Sequence, residues 1–190
     1  MINIIGGEYK KTNLNVPLSG VRPTSSNKRE AIFSTIESFV LKNNINFYHK
    51  NCVLDLFAGS GALGLEAISR GMKYGYFYEN NVNVISCLIE NCKKICINDN
   101  FEIKKENILE NNFLEIKNKI ALVFIDPPYA INPFEKLLIK IDKSKILSNC
   151  AILILEHSIS LEFSIPSNFK IFKTKKYKKT KIIYLIYKDN

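Results

Sequence analysis

Cys52-Val-Leu-Asp-Leu-Phe-Ala-Gly-Ser-Gly-Ala-Leu-Gly64 is the stretch that decides the fold. It begins as a short apolar run with strand character, turns at glycines, and continues from Ala62 as a helical pattern that ends at Gly71. Glycine lets the backbone turn sharply and approach a ligand closely. The stretch therefore predicts the first strand, turn and helix of a doubly wound α/β sheet, whose ligands bind beyond the carboxyl ends of the strands.

The rest of the chain continues this alternation of strand and helix patterns. We predict strands at 74–78, 101–105, 120–125 and 151–155, helices at 82–94, 108–117 and 133–141, and a final hairpin of strands at 169–173 and 181–187. Strands that alternate with helices indicate a mostly parallel sheet. The predicted fold is therefore α/β, with a C-terminal antiparallel hairpin.

The composition is that of one soluble domain. The chain has 190 residues, of which 46% are hydrophobic and 24% charged. Its apolar runs reach only about five residues, against the ~20 of a membrane span, so we expect a cytoplasmic protein without a membrane partner. Five cysteines without a Cys-x-x-Cys motif are expected to be reduced thiols, and no metal site is expected.

Positive charge is concentrated at the two ends of the chain. Residues 1–50 carry seven bases and three acids and residues 170–190 carry eight and one, whereas residues 51–169 carry twelve and fourteen. We therefore predict a basic N-terminal extension over 1–50, formed by a hairpin and a helix capped by Asn27, and a main domain over 51–190. Basic ends on an acidic body indicate a polyanionic partner. Genome composition is an alternative explanation, because 24 of the 27 basic residues are lysine, which A/T-rich codons specify.

A cofactor site is predicted at the glycine turn. Gly59, Gly61 and Gly64 match the pattern G-x-G-x-x-G, and Glu79 follows Gly59 by twenty residues, where a carboxylate can bind a ribose hydroxyl pair. This pattern fits both NAD and S-adenosylmethionine. Asp55 favours the second, because a carboxylate suits the ammonium group of a methionine moiety and would repel a pyrophosphate.

A second site is predicted at Asp126-Pro-Pro-Tyr129, directly after the strand at 120–125. The two prolines form a rigid corner that holds the Asp126 carboxylate and the Pro127 carbonyl as two acceptors for an exocyclic amine of a base. Accepting both N–H groups turns the nitrogen lone pair toward a methyl donor and stabilises the charge that develops on nitrogen. Tyr129 offers a ring on which an extruded base can stack.

Five segments taken together resemble one known family. Ile4–Gly7, Arg22–Thr24, Arg29–Phe33, Asp55–Gly64 and Asp126–Tyr129 are similar, in that order, to the RsmD family of bacterial 16S rRNA (guanine-N2)-methyltransferases. The resemblance implies a Rossmann-like class I fold dependent on S-adenosyl-L-methionine. It also assigns the site residues: Asp55, Gly59, Ser60, Gly61, Glu79, Asn107 and Asp126 as cofactor contacts, Asp126, Pro127, Pro128 and Tyr129 as the catalytic corner, and Arg22 and Arg29 as part of the basic N-terminal element, which is expected to face RNA or the cofactor.

The resemblance implies 16S rRNA as the partner, free or within an assembling or assembled small subunit, and we expect a monomer. Lys175, Lys176, Lys178 and Lys179 of the final hairpin complete the expected RNA-binding set with Arg22 and Arg29. The sequence departs from the family after Thr24, where an acidic residue and a further arginine are usual, and at Lys178, where glycine is usual. A DNA adenine-N6 or cytosine-N4 methyltransferase, an NAD-dependent oxidoreductase and a non-catalytic ribosome-assembly module remain as alternatives.

Overall fold

The computed structural model describes residues 2–17, 24–96, 99–110, 113, 115–128 and 130–188. The strands are β1 Ile2–Asn3, β2 Asn13–Leu14, β3 Cys52–Asp55, β4 Tyr74–Tyr78, β5 Phe101–Lys104, β6 Ile120–Ile125, β7 Leu147–Ser158, β8 Phe169–Lys176 and β9 Thr180–Tyr187. The helices are α1 Ser26–Lys42, α2 Ala62–Ser69, α3 Val82–Ile95 and α4 Phe134–Ser144.

One seven-stranded sheet organises these elements, in the order β5-β4-β3-β6-β7-β9-β8. The first five strands in this order are parallel, whereas β9 runs antiparallel to both β7 and β8. The strand order reverses direction between β3 and β6, the place where ligands bind in doubly wound sheets. The predicted fold class and its C-terminal antiparallel hairpin are confirmed.

Both faces of the sheet are covered, which explains why its central strands are apolar throughout. Val53 and Phe124 face a cluster that includes side chains of α1, α2 and α3. Leu54 and Val123, which alternate with them, face a second cluster formed with α4 and with residues 108–116. β3 and β6 are therefore fixed from two sides, and so is the edge at which they end.

The described part of residues 1–50 packs on the first of these clusters. Ile4 and Leu14 of the β1–β2 hairpin and Phe33 of α1 are buried in it. The carboxylate of Glu66, itself fully buried in α2, accepts the backbone N–H groups of Ile5 and Gly6 at 2.8 Å each. The predicted hairpin and helix are present, while the division of the chain at residue 50 stays a prediction.

Two local predictions are corrected. Ser25, not Asn27, caps α1, because its hydroxyl accepts the backbone N–H of Lys28. The described residues of 108–117 form turns instead of the predicted helix; Asn107 favours a turn here because its side-chain oxygen accepts the N–H of Leu109. Among the described helices, none has both the length and the apolar character needed to cross a membrane.

Candidate active site at the carboxyl edge of the sheet

The glycine turn places Asp55 at the centre of this edge. Gly59 and Gly61 have φ angles of +54° and +80°, which residues other than glycine rarely adopt. Helix α2 begins directly after this turn, at Ala62. The Asp55 Oδ2 accepts the Gly64 N–H at 3.1 Å. Burial raises the pKa of Asp55 to about 7, although the backbone N–H groups of Gly64 and Phe57 favour its ionised form. Ser60 is buried beside it in the same turn.

Glu79 follows β4 and is hydrogen-bonded to the glycine turn. Its Oε2 accepts the N–H of Gly59 at 2.9 Å, and its Oε1 accepts the N–H of Asn81 at 2.8 Å. These bonds fix the direction of the carboxylate, which retains lone pairs for further donors because an ionised carboxylate has about four acceptor positions. The twenty-residue spacing thus corresponds to a direct contact.

Asn107 lies at the same edge, because β5 is the parallel neighbour of β4 and ends at Lys104. Its Oδ1 accepts the N–H of Leu109 at 3.1 Å, and its Nδ2 donates to Glu110 at 2.8 Å. Asn107 therefore shapes the turn after β5.

Asp126 follows β6, the parallel neighbour of β3, so its carboxylate lies near that of Asp55. The Thr24 hydroxyl is 3.3 Å from Asp126 Oδ2. Burial, reinforced by the carboxylates of Glu156 and Asp55, raises the pKa of Asp126 to about 7, against the opposing effects of Lys28 and Thr24. Two acidic groups with raised pKa values at one edge are a signature of a functional site.

The corner after Asp126 is partly described. Pro127 is buried and Pro128 exposed. The Pro128 carbonyl accepts the N–H of Ile131 at 3.1 Å. Tyr129, the predicted stacking residue, lies outside the described residues.

Three residues that the sequence did not assign to the site surround Asp126. Lys28 Nζ donates to Glu156 Oε1 at 2.6 Å, and Thr24 contacts Asp126 as above. Glu156 follows the apolar run 151–155 as Asp126 follows 120–125, and this shared position was the signal available in the sequence. Lys28 and Thr24 come from the segment around the start of α1. The family resemblance implied that this N-terminal element faces RNA or the cofactor, but no pattern in the sequence assigned these two side chains to the edge.

The predicted RNA-binding residues have different environments. Arg29 is fully buried, and its Nη2 donates to the Asn3 carbonyl at 2.6 Å; the prediction that it contacts RNA is wrong, because its guanidinium binds the backbone of the N-terminal hairpin. Lys175 donates to the Ala31 carbonyl at 3.0 Å. Lys176, Lys178 and Lys179 are exposed, and Arg22 lies outside the described residues.

The charges at this edge fit a cationic ligand. Asp55, Asp126 and Glu156 bring three carboxylates together, and Lys28 is the cation whose effect on Asp126 opposes theirs. The raised pKa values of Asp55 and Asp126 show that negative charge is disfavoured here, so a bound positive charge would stabilise their ionised forms. The ammonium and sulfonium groups of S-adenosylmethionine supply such charge, whereas the pyrophosphate of NAD would be repelled.

Comparisons with known proteins agree with this geometry. The family described as Conserved hypothetical protein 95 matches residues 2–186. Ribosomal RNA small subunit methyltransferase D of Buchnera aphidicola (subsp. Baizongia pistaciae) is 32% identical, over 98% of this chain and 91% of its own. A solved structure from Escherichia coli, described as a candidate methyltransferase, is 27% identical with a TM-score of 0.83 and covers 100% of this chain and 99% of its own.

A more distant structure shares the fold alone. An RNA methyltransferase from Salinibacter ruber, solved in complex with S-adenosyl-L-homocysteine, has a TM-score of 0.62 at 13% identity, covering 89% of this chain and 95% of its own. The Rossmann-like class I methyltransferase fold is thereby confirmed. Since one family model matches nearly the whole chain, this protein belongs to the RsmD family of methyltransferases, whose cofactor is S-adenosyl-L-methionine.

Proposed function

We propose that this protein methylates the exocyclic N2 amine of a guanine in 16S rRNA with S-adenosyl-L-methionine as the methyl donor. The observation that carries the proposal is the position of Asp126, whose carboxylate lies beside that of Asp55 at the point where the sheet order reverses. The relatives named for ribosomal RNA small subunit methylation support the class of substrate.

The residues that would bind the cofactor lie mainly around the ends of β3 and β4. Asp55 would accept hydrogen bonds from the ammonium group, and Glu79, oriented by the Gly59 N–H, would accept hydrogen bonds from the ribose hydroxyl groups. The turn at Gly59, Ser60 and Gly61 would allow a close approach of the cofactor to the backbone, and Asn107 would contact the adenine. The bound cofactor supplies an electrophilic methyl group.

Asp126 and the Pro127 carbonyl orient the amine. The amine of guanine is a weak nucleophile because its lone pair is conjugated with the ring. Two acceptors on its two N–H groups turn this lone pair toward the methyl group and stabilise the positive charge that develops on nitrogen. The bound cofactor would give its methyl group to this nitrogen, and its sulfur would keep the electron pair of the carbon–sulfur bond. The methylated ammonium is acidic enough to lose its proton to water.

The base must leave its stack to reach this corner, and we assign Tyr129 as the surface on which it stacks. The exposed lysines Lys176, Lys178 and Lys179 are assigned to the phosphate backbone. The substrate is free 16S rRNA or the small subunit that contains it, and we propose that a monomer acts on it in the cytoplasm.

The proposal is tested in cells that lack the gene. Mass mapping of their 16S rRNA should show one guanine lighter by one methyl group, and the gene should restore it. Calorimetry on the purified protein should show binding of S-adenosylhomocysteine and none of NADH. A 16S rRNA with unchanged mass, or binding of NADH instead, would refute the proposed function.

A further inference from the structure

Glu156 is a buried carboxylate beside the Asp126 corner that the proposed methyl transfer does not use. β6 and β7 are parallel, and their last paired residues are Ile125 and Leu155. Asp126 and Glu156 are therefore the next residues along two neighbouring strands. Paired positions of adjacent strands present their side chains on the same face of a sheet, so both carboxylates lie on one face at the carboxyl edge. Glu156 is close enough to raise the pKa of Asp126.

Lys28 orients Glu156. Its Nζ donates to Glu156 Oε1 at 2.6 Å, lies 3.5 Å from the Thr180 hydroxyl, and is 5.2 Å from the centre of the Tyr177 ring. These contacts hold the ammonium group, and through it the carboxylate, in one place. The Lys28 ammonium contacts one of the two carboxylate oxygens, Oε1. A carboxylate has about four acceptor positions, so this ion pair is compatible with a hydrogen bond from the substrate.

The atom next to the amine differs between guanine and the other two bases that carry an exocyclic amine. Beside N2, guanine has the donor N1–H. Beside N6, adenine has the acceptor N1, and beside N4, cytosine has the acceptor N3. A carboxylate placed next to this ring nitrogen accepts a hydrogen bond from the N1–H of guanine. In adenine or cytosine the same carboxylate would face the lone pair of a ring nitrogen, which is repulsive.

We propose that Glu156 accepts the N1–H of the target guanine while Asp126 binds its amine, and that this pair of acceptors makes the site select guanine over adenine and cytosine. The inference rests on the proposed function and explains a choice that Asp126 alone leaves open, because the Asp126 corner would serve any exocyclic amine. Sites built to hydrogen-bond a substrate group discriminate strongly against analogues that lack it, since their buried polar groups are then left unpaired.

The test replaces guanine by 2-aminopurine, which keeps the amine at C2 but has an acceptor at N1. Small subunits are reconstituted on 16S rRNA that carries one or the other base at the mapped target position. Initial rates of methylation then give a guanine preference for each variant. The guanine preference of each variant is compared with that of the wild-type protein. Differences between the two bases themselves, namely the reactivity of their amines and the missing C6 oxygen of 2-aminopurine, are the same for every variant and cancel in this comparison.

We expect the wild-type protein to prefer guanine by at least about 100-fold. Glu156→Gln should lower the preference by at least about tenfold, the scale of one hydrogen bond to a charged group, because an amide can donate to the acceptor N1. Glu156→Asp, which keeps the charge and withdraws it by one methylene, should also lower the preference. The exposed Glu162, changed to Gln, is the matched control and should keep the wild-type preference.

Two results would overturn the inference while leaving the proposed function intact. The first is a wild-type preference below about threefold, which needs no folded variant. The second is a loss of rate in Glu156→Gln that is equal for both bases, with S-adenosylhomocysteine binding retained, because Glu156 would then only hold Lys28 in place. If the wild-type protein methylates neither base, the proposed function itself fails.

Discussion

Asp126 is the single residue on which the proposed chemistry depends most. We expect Asp126→Ala to lower kcat by at least about 100-fold, the scale of losing one group that stabilises the transition state. Affinity for S-adenosylhomocysteine should stay nearly unchanged, because Asp55 and Glu79 remain. Single-turnover methylation and calorimetry measure the two effects. Asp99→Asn, in an exposed loop, is the control, and an Asp126 variant with wild-type turnover would remove the residue from the mechanism.

Glu79 should affect cofactor binding instead of turnover. We expect Glu79→Gln to weaken S-adenosylmethionine binding by about 1–3 kcal/mol, the scale of losing a charged hydrogen-bond acceptor. Its carboxylate also accepts the N–H groups of Gly59 and Asn81, so part of the loss will come from the loop. Calorimetry measures the change, and the exposed Glu135, changed to Gln, serves as the control. Unchanged affinity would mean that the ribose is bound elsewhere.

The raised pKa of Asp55 predicts a pH dependence of cofactor binding. It lies at about 7 in the free protein, so this carboxyl group is largely neutral at pH 6 and ionised at pH 8. The ammonium group of a bound ligand favours the ionised form. Affinity for S-adenosylhomocysteine should therefore rise between pH 6 and pH 8, by up to about tenfold per pH unit below the pKa of Asp55. Calorimetry at pH 6, 7 and 8 checks this, and a flat profile would contradict it.

Asp55 and Asp126 have the opposite effect on the stability of the free protein. Their pKa values in the folded protein lie above 3.8, the ordinary value of an aspartate. The stability that these two groups contribute in their neutral forms is therefore fully present below about pH 4 and is lost as the pH rises through 7. Bound S-adenosylhomocysteine should reduce this loss, because its ammonium group stabilises the ionised Asp55 carboxylate.

At the scale of elements, Arg29 joins the N-terminal hairpin to α1. Its guanidinium donates to the carbonyl of Asn3 and lies 3.5 Å from that of Thr24. Lysine has one ammonium group in place of the planar fork, so Arg29→Lys should lower the free energy of unfolding by about 1–3 kcal/mol. Denaturant unfolding measures this. The salt dependence of RNA binding should stay at the wild-type value, and a changed salt dependence would restore Arg29 to the RNA surface.

The β8–β9 hairpin should contribute affinity for RNA without taking part in turnover. Each phosphate contact contributes about 0.7–0.9 to the slope of log affinity against log salt concentration. Replacing Lys176, Lys178 and Lys179 by Gln should therefore flatten this slope by up to about 2–3. Lys175 is kept as lysine, because it donates to the Ala31 carbonyl. Filter binding at a series of salt concentrations checks the prediction. An unchanged slope would mean that these lysines do not contact RNA and reflect the composition of an A/T-rich genome.

Elements with a clear pattern were predictable, and elements decided by single contacts were not. The apolar runs at 74–78 and 120–125 coincide with β4 and β6, because strands buried on both faces leave an uninterrupted signal in the sequence. The patterned residues 108–117 form turns in their described part, since Asn107 directs a turn and Ile108 and Ile116 pack into the core without helix formation. Arg29 looked like an exposed base, because nothing in its own segment reveals the hairpin that covers it.

At the scale of the whole molecule, four widely separated segments meet at one edge. Asp55 is the last residue of a strand of the parallel sheet, and Glu79, Asn107 and Asp126 follow three other strands. The carboxyl ends of parallel strands share an edge, so this part of the site was predictable from the sequence. Thr24 and Lys28 come from the segment around the start of α1, and their contacts with Asp126 and Glu156 depend on how α1 packs on the sheet. No pattern among neighbouring residues in the sequence predicts this packing of α1 on the sheet.

The proposed function is tested most directly by the identity of the methylated nucleoside. The purified protein is incubated with small subunits from cells lacking the gene and with S-adenosylmethionine that carries a deuterated methyl group. The RNA is then digested to nucleosides for mass spectrometry. We predict that the label appears in N2-methylguanosine and is absent with Asp126→Ala. Label in N6-methyladenosine or N4-methylcytosine, or equal label with the Asp126 variant, would contradict it.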